Sequence, residues 1–272
     1  MELTCSFGDN EIKRVSFLEA VKRVTIRSKS DVVSAALALS DFARSCAMRV
    51  DVIANIASNS PLVDANGLNI NREIFNWTGK DEQWWDERGL ALTSPLARAC
   101  RCESEPMWYD SNGFYTNWDN DYLKSIKPTF HSSHSTYKHP ETAILIPVHL
   151  PFGQIALAIY SPINEDWTKL TQTYQAYGES LATITRKFVA GYVSVMRRNH
   201  RLPINCELTK RQVSCLQWAA HGKTDKETAI IMSLSPATIR RHIKCAVERL
   251  DCVNRGQAIS KAGQLGYLVP NN

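Results

Sequence analysis

The chain has 272 residues, 44% hydrophobic and 22% charged, which suits a folded protein of one large or two ordinary domains. Its formal charge of +5 is divided unevenly: residues 206–272 hold ten Lys/Arg and five Asp/Glu, Arg197, Arg198 and Arg201 add three positive charges, and residues 1–196 carry −3. No run approaches the ~20 apolar residues of a membrane helix, and MELTCSFGDNEIKR lacks the basic start and apolar core of a secretory signal, so a cytoplasmic protein without membrane contact is expected.

In chain order, residues 11–28 and 31–46 are predicted helices, the second with Val32, Val33, Ala36, Leu39 and Ala43 on one side. RVDVIANI, residues 49–56, is an apolar strand candidate. Residues 75–130 are rich in aromatics and hard to assign. AILIPVHL (143–150) and GQIALAIYS (153–161) are predicted strands, joined as a hairpin through Pro151, Phe152 and Gly153. Residues 165–196 are the most periodic stretch, with Leu170, Tyr174, Tyr177, Leu181, Ile184, Phe188, Tyr192 and Val195 on one stripe. That stripe packs on its own sheet, forms a dimer seam, or does both along its length. The fold class expected is α+β: an N-terminal α/β/α sandwich, an antiparallel sheet with flanking helices, over residues 1–196, and a helical domain over 207–272. RRNHRLPINC, residues 197–206, is charged, poor in apolar residues and reads as a linker.

The C-terminal segment reads as four capped helices. Thr209 to Gln212 and Thr224 to Glu227 are capping boxes, Ser235 precedes Pro236 as a cap, and Asn254 can cap the fourth helix. Gly222 and Gly266 sit where helices end. The expected apolar faces are Val213, Leu216, Ala219 and Ala220, then Ala229, Ile230 and Met232, then Ile239, Ile243, Ala246, Val247 and Leu250. Two short helices with a tight turn have the spacing of a helix-turn-helix, whose second member enters the major groove of double-stranded DNA. Arg240 and Arg241 are the candidate base readers, because the guanidinium fork matches a guanine edge. Lys244, Thr238 and Lys223 are candidate phosphate contacts.

Residues 208–268 also resemble the LuxR-type helix-turn-helix. The resemblance rests on Leu208-Thr209-x-Arg211, Gly222-Lys223-Thr224, Glu227-x-Ala229, Ser235-x-x-Thr238-Ile239-x-x-His242, Leu250, Asn254-Arg255 and Gln257-Ala258. Gln212, Thr228 and Cys245 depart from it, standing where Glu, Ile and Asn are usual. The N-terminal part resembles the quorum-sensing branch of that family through Ile146-Pro147-Val148, Gly153-Gln154 and Trp85…Ser94-Pro95…Trp108. The resemblance implies a homodimeric transcription regulator that binds an operator of paired half-sites. It also implies a pocket for an acyl-homoserine lactone at Trp85, Ser94, Trp108, Trp84, Asp81 and Ala143. In the family an Asp precedes the pocket proline and accepts the ligand's amide N–H; here that residue is Ser94. Trp85 replaces a Tyr, Asp81 or Trp84 stands for a Trp, and Ala143 replaces a Gly. An amide donor left unpaired on burial costs about 1–3 kcal/mol. Ordinary lactones are therefore expected to bind poorly, and the pocket is expected to take another small apolar molecule or nothing.

Two other control modes are open at this point: a ligand-free N-terminal domain governed by a protein partner, or a thiol or metal sensor. The second would use Cys100, Cys102, His131, His134, His139 and His149, whose spacing matches no strong metal template, and no metal or other cofactor is expected. The eight cysteines are expected to be reduced. No catalytic motif is visible, and an enzyme is not expected.

Overall fold

The computed structural model describes residues 17–58, 60–76, 94–128, 141–163, 169–196 and 207–268. The chain folds into two compact units, one built on a sheet and one on the C-terminal helices.

The first unit holds, in order, α1 (Phe17–Arg23), α2 (Asp31–Ser45), β1 (Met48–Ile53), α3 (Ile70–Glu73), α4 (Pro95–Cys102), β2 (Met107–Tyr109), β3 (Phe114–Tyr115) and α5 (Asp121–Lys124). β4 (Ala143–Leu150), β5 (Gln154–Pro162) and α6 (Leu170–Met196) follow. The five strands form an antiparallel sheet in the order β1-β5-β4-β2-β3. A short 3-10 turn at Pro151–Gly153 closes the β4–β5 hairpin.

Both faces of the sheet are covered, so β4 is buried without alternation over Ala143–Val148. On one face Val50, Val52, Ile144, Ile146, Val148, Ala156, Ala158 and Tyr160 pack with α1, α2 and α6. On the other, Ile53, Ala143, Leu145, Leu157, Ile159, Met107 and Tyr109 pack with Leu96, Ala97, Ala99 and Cys100 of α4 and Leu123 of α5. This is the α/β/α sandwich expected. Pro147 is tolerated in β4 because β2 pairs only as far as Leu145, leaving β4 a neighbour on one side there. The outer edge of β1 is closed by a side chain: Asn71 accepts from the Val52 N–H at 3.1 Å and donates to the Val52 carbonyl at 2.9 Å.

The stripe of α6 packs on its own domain. Leu170, Tyr174, Leu181, Ile184, Phe188, Tyr192 and Val195 are all buried, and Tyr177 is partly so. The Tyr160 and Thr185 hydroxyls pair at 2.7 Å inside this core. Of the two uses expected for the stripe, the intramolecular one is observed.

The second unit contains α7 (Lys210–Ala220), α8 (Asp225–Met232), α9 (Pro236–Arg249) and α10 (Arg255–Gln264). All four predicted caps form. Thr209 and Gln212, and Thr224 and Glu227, make reciprocal capping boxes; Ser235 accepts from Thr238 N and Asn254 from Gln257 N. Gly222 and Gly266 take φ of +77° and +75° after α7 and α10, as a helix-ending glycine can without strain. Two apolar faces differ from expectation. In α7 the buried residues are Gln212, Cys215, Leu216 and Ala219, with Ala220 exposed. In α8 they are Thr228 and Ala229, while Ile230 is 80% exposed.

Candidate functional site

In the helical unit, α8 and α9 are joined by a turn in which Ser233 adopts a left-handed conformation (φ 53°, ψ 48°) and Leu234 N–H donates to Ala229 O at 2.9 Å. Cys215, Ala229, Ile239 and Ile243 form the core between α7, α8 and α9, with Met232, Leu234 and Val247 against it. Ile239, Ile243 and Ala246 are buried on the inner side of α9, with Leu250 buried just past its end and Val247 partly so, while Ala237, Arg240, Arg241, Lys244, Glu248 and Arg249 are exposed.

Arg240 and Arg241 are exposed and have no hydrogen bond or ion pair among the described residues. Lys244 is exposed, with Glu248 4.0 Å away, a loose surface pair that leaves the ammonium available. The Thr238 hydroxyl is engaged by Ser235 at 2.8 Å, so its role is first in the cap of α9. Lys223 is partly buried and its carbonyl accepts from Arg255 at 2.9 Å. Arg240 and Lys244 also line an open cleft of about 350 Å³ with Asp225, Ile243, Val247 and Arg255. Three other cations of this unit are engaged within it: Arg249 donates to Glu207 O at 2.8 Å, and Lys261 to Leu250 O at 2.6 Å. Arg255 joins Asp225 at 2.8 Å. Arg255 was not among the predicted site residues. Its signal lay in the Asn254-Arg255 pair, where the Asn caps α10 and the Arg reaches back to the start of α8.

The predicted pocket residues are partly scattered. Ser94 is buried at the head of α4, on the face of the sheet where Ala143 is also buried. Trp108 packs on the opposite face, against the cluster held by α2 and α6, and stacks on Tyr115 with ring centroids 4.2 Å apart. Met107 and Tyr109, its strand neighbours, face the α4 side instead. Asp81, Trp84 and Trp85 lie outside the described residues, as do the linker 197–206 and His131, His134 and His139.

Cys100 and His149 belong to the expected thiol or metal sensor. Cys100 is fully buried, and desolvation pushes its thiol far above the ordinary range, the opposite of a reactive thiolate. His149 holds the C-terminal end of α4, its Nε2 lying 3.0 Å from Cys100 O and 3.3 Å from Glu103 O. Cys46, Cys100, Cys102, Cys215, Cys245 and Cys252 are free thiols. No helix among the described residues is long and apolar enough to cross a membrane.

Compared with known proteins, residues 207–262 match the family described as bacterial regulatory proteins, luxR family. The chain is 32% identical over 128 residues to the transcriptional activator protein VanR of Vibrio anguillarum, covering 46% of this chain and 51% of VanR. It is 44% identical over 61 residues to the quorum sensing-dependent transcriptional regulator VjbR of Brucella abortus, covering 22% of this chain and 24% of that one. The chain therefore spans about half, or less, of the length of these curated relatives. Among solved structures it is similar to Escherichia coli SdiA, at 17% identity and a TM-score of 0.39, covering 69% of this chain and 73% of that one.

Proposed function

With residues 207–262 a LuxR-family helix-turn-helix domain, we propose that the protein is a cytoplasmic, homodimeric transcription regulator that binds a two-fold operator. Its N-terminal sheet domain senses a small apolar molecule, and its role is not catalytic. The observation that carries the reading is the outward face of α9, where Arg240 and Arg241 stand exposed, with no partner among the described residues, on a helix fixed by a cap and a buried stripe. An arginine whose fork is not spent within the fold is free to pair with a guanine edge. The names of VanR and VjbR, a transcriptional activator and a quorum sensing-dependent regulator, support the regulatory part. The net positive charge of residues 206–272 supports attraction to phosphate.

The test is selection of the full-length protein on a random-sequence DNA pool. The pool converges on a two-fold site if the reading holds. Arg240→Ala and Arg241→Ala then each weaken that site by about 1–3 kcal/mol and relax the preference at one base pair per half-site, with thermal stability unchanged. A pool that does not converge refutes sequence-specific DNA binding, and unchanged affinity in both variants refutes the assignment of those side chains.

A further inference from the structure

The open cleft beside α9 contains a charge that works against the face it borders. Arg240 and Lys244 line it from α9, Arg255 from the first turn of α10 and Asp225 from the first turn of α8. The described residues around it therefore bring three cations and one carboxylate. Arg240 and Lys244 belong to the outward face assigned above to DNA. The net charge of the cleft thus acts on the phosphates that flank that face.

Two of the four charges cancel. The Asp225 carboxylate accepts from Arg255 Nη1 at 2.8 Å, and Arg255 Nη2 donates to the Lys223 carbonyl at 2.9 Å. The Arg255 side chain is 36% exposed and that of Asp225 23%, so solvent screens the pair only in part. Asp225 stands on a turn fixed by the Thr224–Glu227 capping box. Glu227 cannot take over its task, because its own carboxylate accepts from the Thr224 N–H at 2.8 Å and the Thr224 hydroxyl at 2.7 Å. Lys244 is different: its partner Glu248 is 4.0 Å away and both are well exposed, so a phosphate can displace it. Joining α8 to α10 needs only a neutral acceptor, such as the Lys223 carbonyl already provides. A full negative charge at this place is unfavourable on a surface meant for phosphate.

We propose that Asp225 restrains DNA binding: it cancels the charge of Arg255 and withholds that cation from the DNA backbone. The proposal deepens the DNA-binding reading given above and rests on it. Backbone contacts carry no sequence information. Withholding one lowers affinity for random and specific DNA by the same factor, and a larger share of the remaining affinity comes from the bases read by α9. Asp225 acts here as a positioning residue, through Arg255.

The test measures binding of full-length protein to the selected DNA site and to a random duplex of the same length, between roughly 50 and 200 mM salt. Asp225→Asn keeps the shape and the acceptor oxygen of the side chain and removes its charge. It binds both DNAs more tightly than the wild type at the lower salt. The slope of log K against log salt is steeper by about 0.9, the value of one further phosphate, so its advantage shrinks about threefold across that range. Adding Arg255→Gln returns the slope to that of the wild type. Asp251→Asn is the control: it removes the same charge just past α9, outside the cleft, at a left-handed position that Asn tolerates, and leaves the slope unchanged. A merely structural role for Asp225 would lower the thermal midpoint without steepening the slope. Should the double variant not fold, Asp225→Asn against Asp251→Asn decides. An unchanged or shallower slope in Asp225→Asn, a steeper slope that persists in the double variant, or an equal gain in Asp251→Asn overturns the proposal. Wild-type protein that binds neither DNA overturns the underlying reading with it, whereas wild-type binding with an unaltered slope in Asp225→Asn discards the restraint alone and leaves the regulator standing.

Discussion

The guanidinium of Arg255 donates through Nη1 to the Asp225 carboxylate at 2.8 Å and through Nη2 to the Lys223 carbonyl at 2.9 Å, tying the first turn of α10 to the start of α8. Both partners are partly buried, so solvent screens the pair less than it does a surface bridge. Arg255→Ala is expected to lower the stability of the helical unit by about 1–2 kcal/mol, measured by urea unfolding. Arg255→Lys recovers only part of this, because a point-like ammonium cannot serve both acceptors with one planar fork.

Thr228 is 1% exposed on the inner side of α8, and its Oγ1 has no hydrogen-bond partner. Thr228→Val replaces that hydroxyl with a methyl of the same shape. A gain of about 1 kcal/mol is expected, seen as a higher denaturant midpoint with an unchanged slope. A loss would mean that the hydroxyl is satisfied in solution.

Acid acts on the capping box of α8. The Thr224 backbone N–H, followed by its hydroxyl, lowers the Glu227 pKa below the ordinary glutamate value. A carboxyl whose folded pKa is depressed stabilises the fold above its unfolded pKa, and that contribution is lost as pH falls through the folded pKa. The cap therefore contributes fully at neutral pH and fades below the usual glutamate range. In Glu227→Gln the cap geometry is kept and this part of the acid sensitivity disappears. The check is the difference between wild-type and variant unfolding midpoints as a function of pH, which narrows as the pH is lowered.

Gly191 lies where α6 crosses the segment after α1. A Cβ there would stand 2.9 Å from the Ile26 Cβ and 3.1 Å from the Ile26 carbonyl oxygen. Alanine is the better helix former by about 1 kcal/mol, but a contact with backbone cannot be relieved by turning a side chain. Gly191→Ala is expected to be destabilising by about 1–2 kcal/mol net, measured by thermal unfolding.

Much of this architecture can be read from local signals. The four C-terminal caps are chemical statements within four residues of each other, and each forms as its residues require. The hairpin around Pro151–Gly153 and the stripe of α6 are equally local. Inward and outward residues on short helices are harder to read. α8 has only eight residues, and its crossing with α7 and α9 turns Thr228 inward and Ile230 outward, against hydrophobicity. The pocket residues depend on strand parity: Trp108 lies between two residues that face the α4 layer, so it must face the other way, and only the pairing of β2 with β4 reveals this. Asp51 is a lone carboxylate inside an apolar strand. That its neighbours across the sheet, Ile159 and Leu145, are apolar appears only from the strand pairing.

The anchoring of α4 is lopsided. At its far end the His149 ring meets the carbonyls of Cys100 and Glu103, and the Glu103 carboxylate accepts from Trp118 Nε1 and Asn120 Nδ2, each at 3.0 Å. At its near end the Ser94 hydroxyl leaves the opening amides without a side-chain cap, and Pro95 brings no amide of its own. Among the described residues the two ends of the helix are thus held by unequal numbers of side-chain hydrogen bonds. Amide protons of its first turn are expected to exchange by local openings that leave the last turn seated. A probe of hydrogen exchange would see protection rise from Leu96 towards Cys102, a gradient set by two unequal ends of a single eight-residue element.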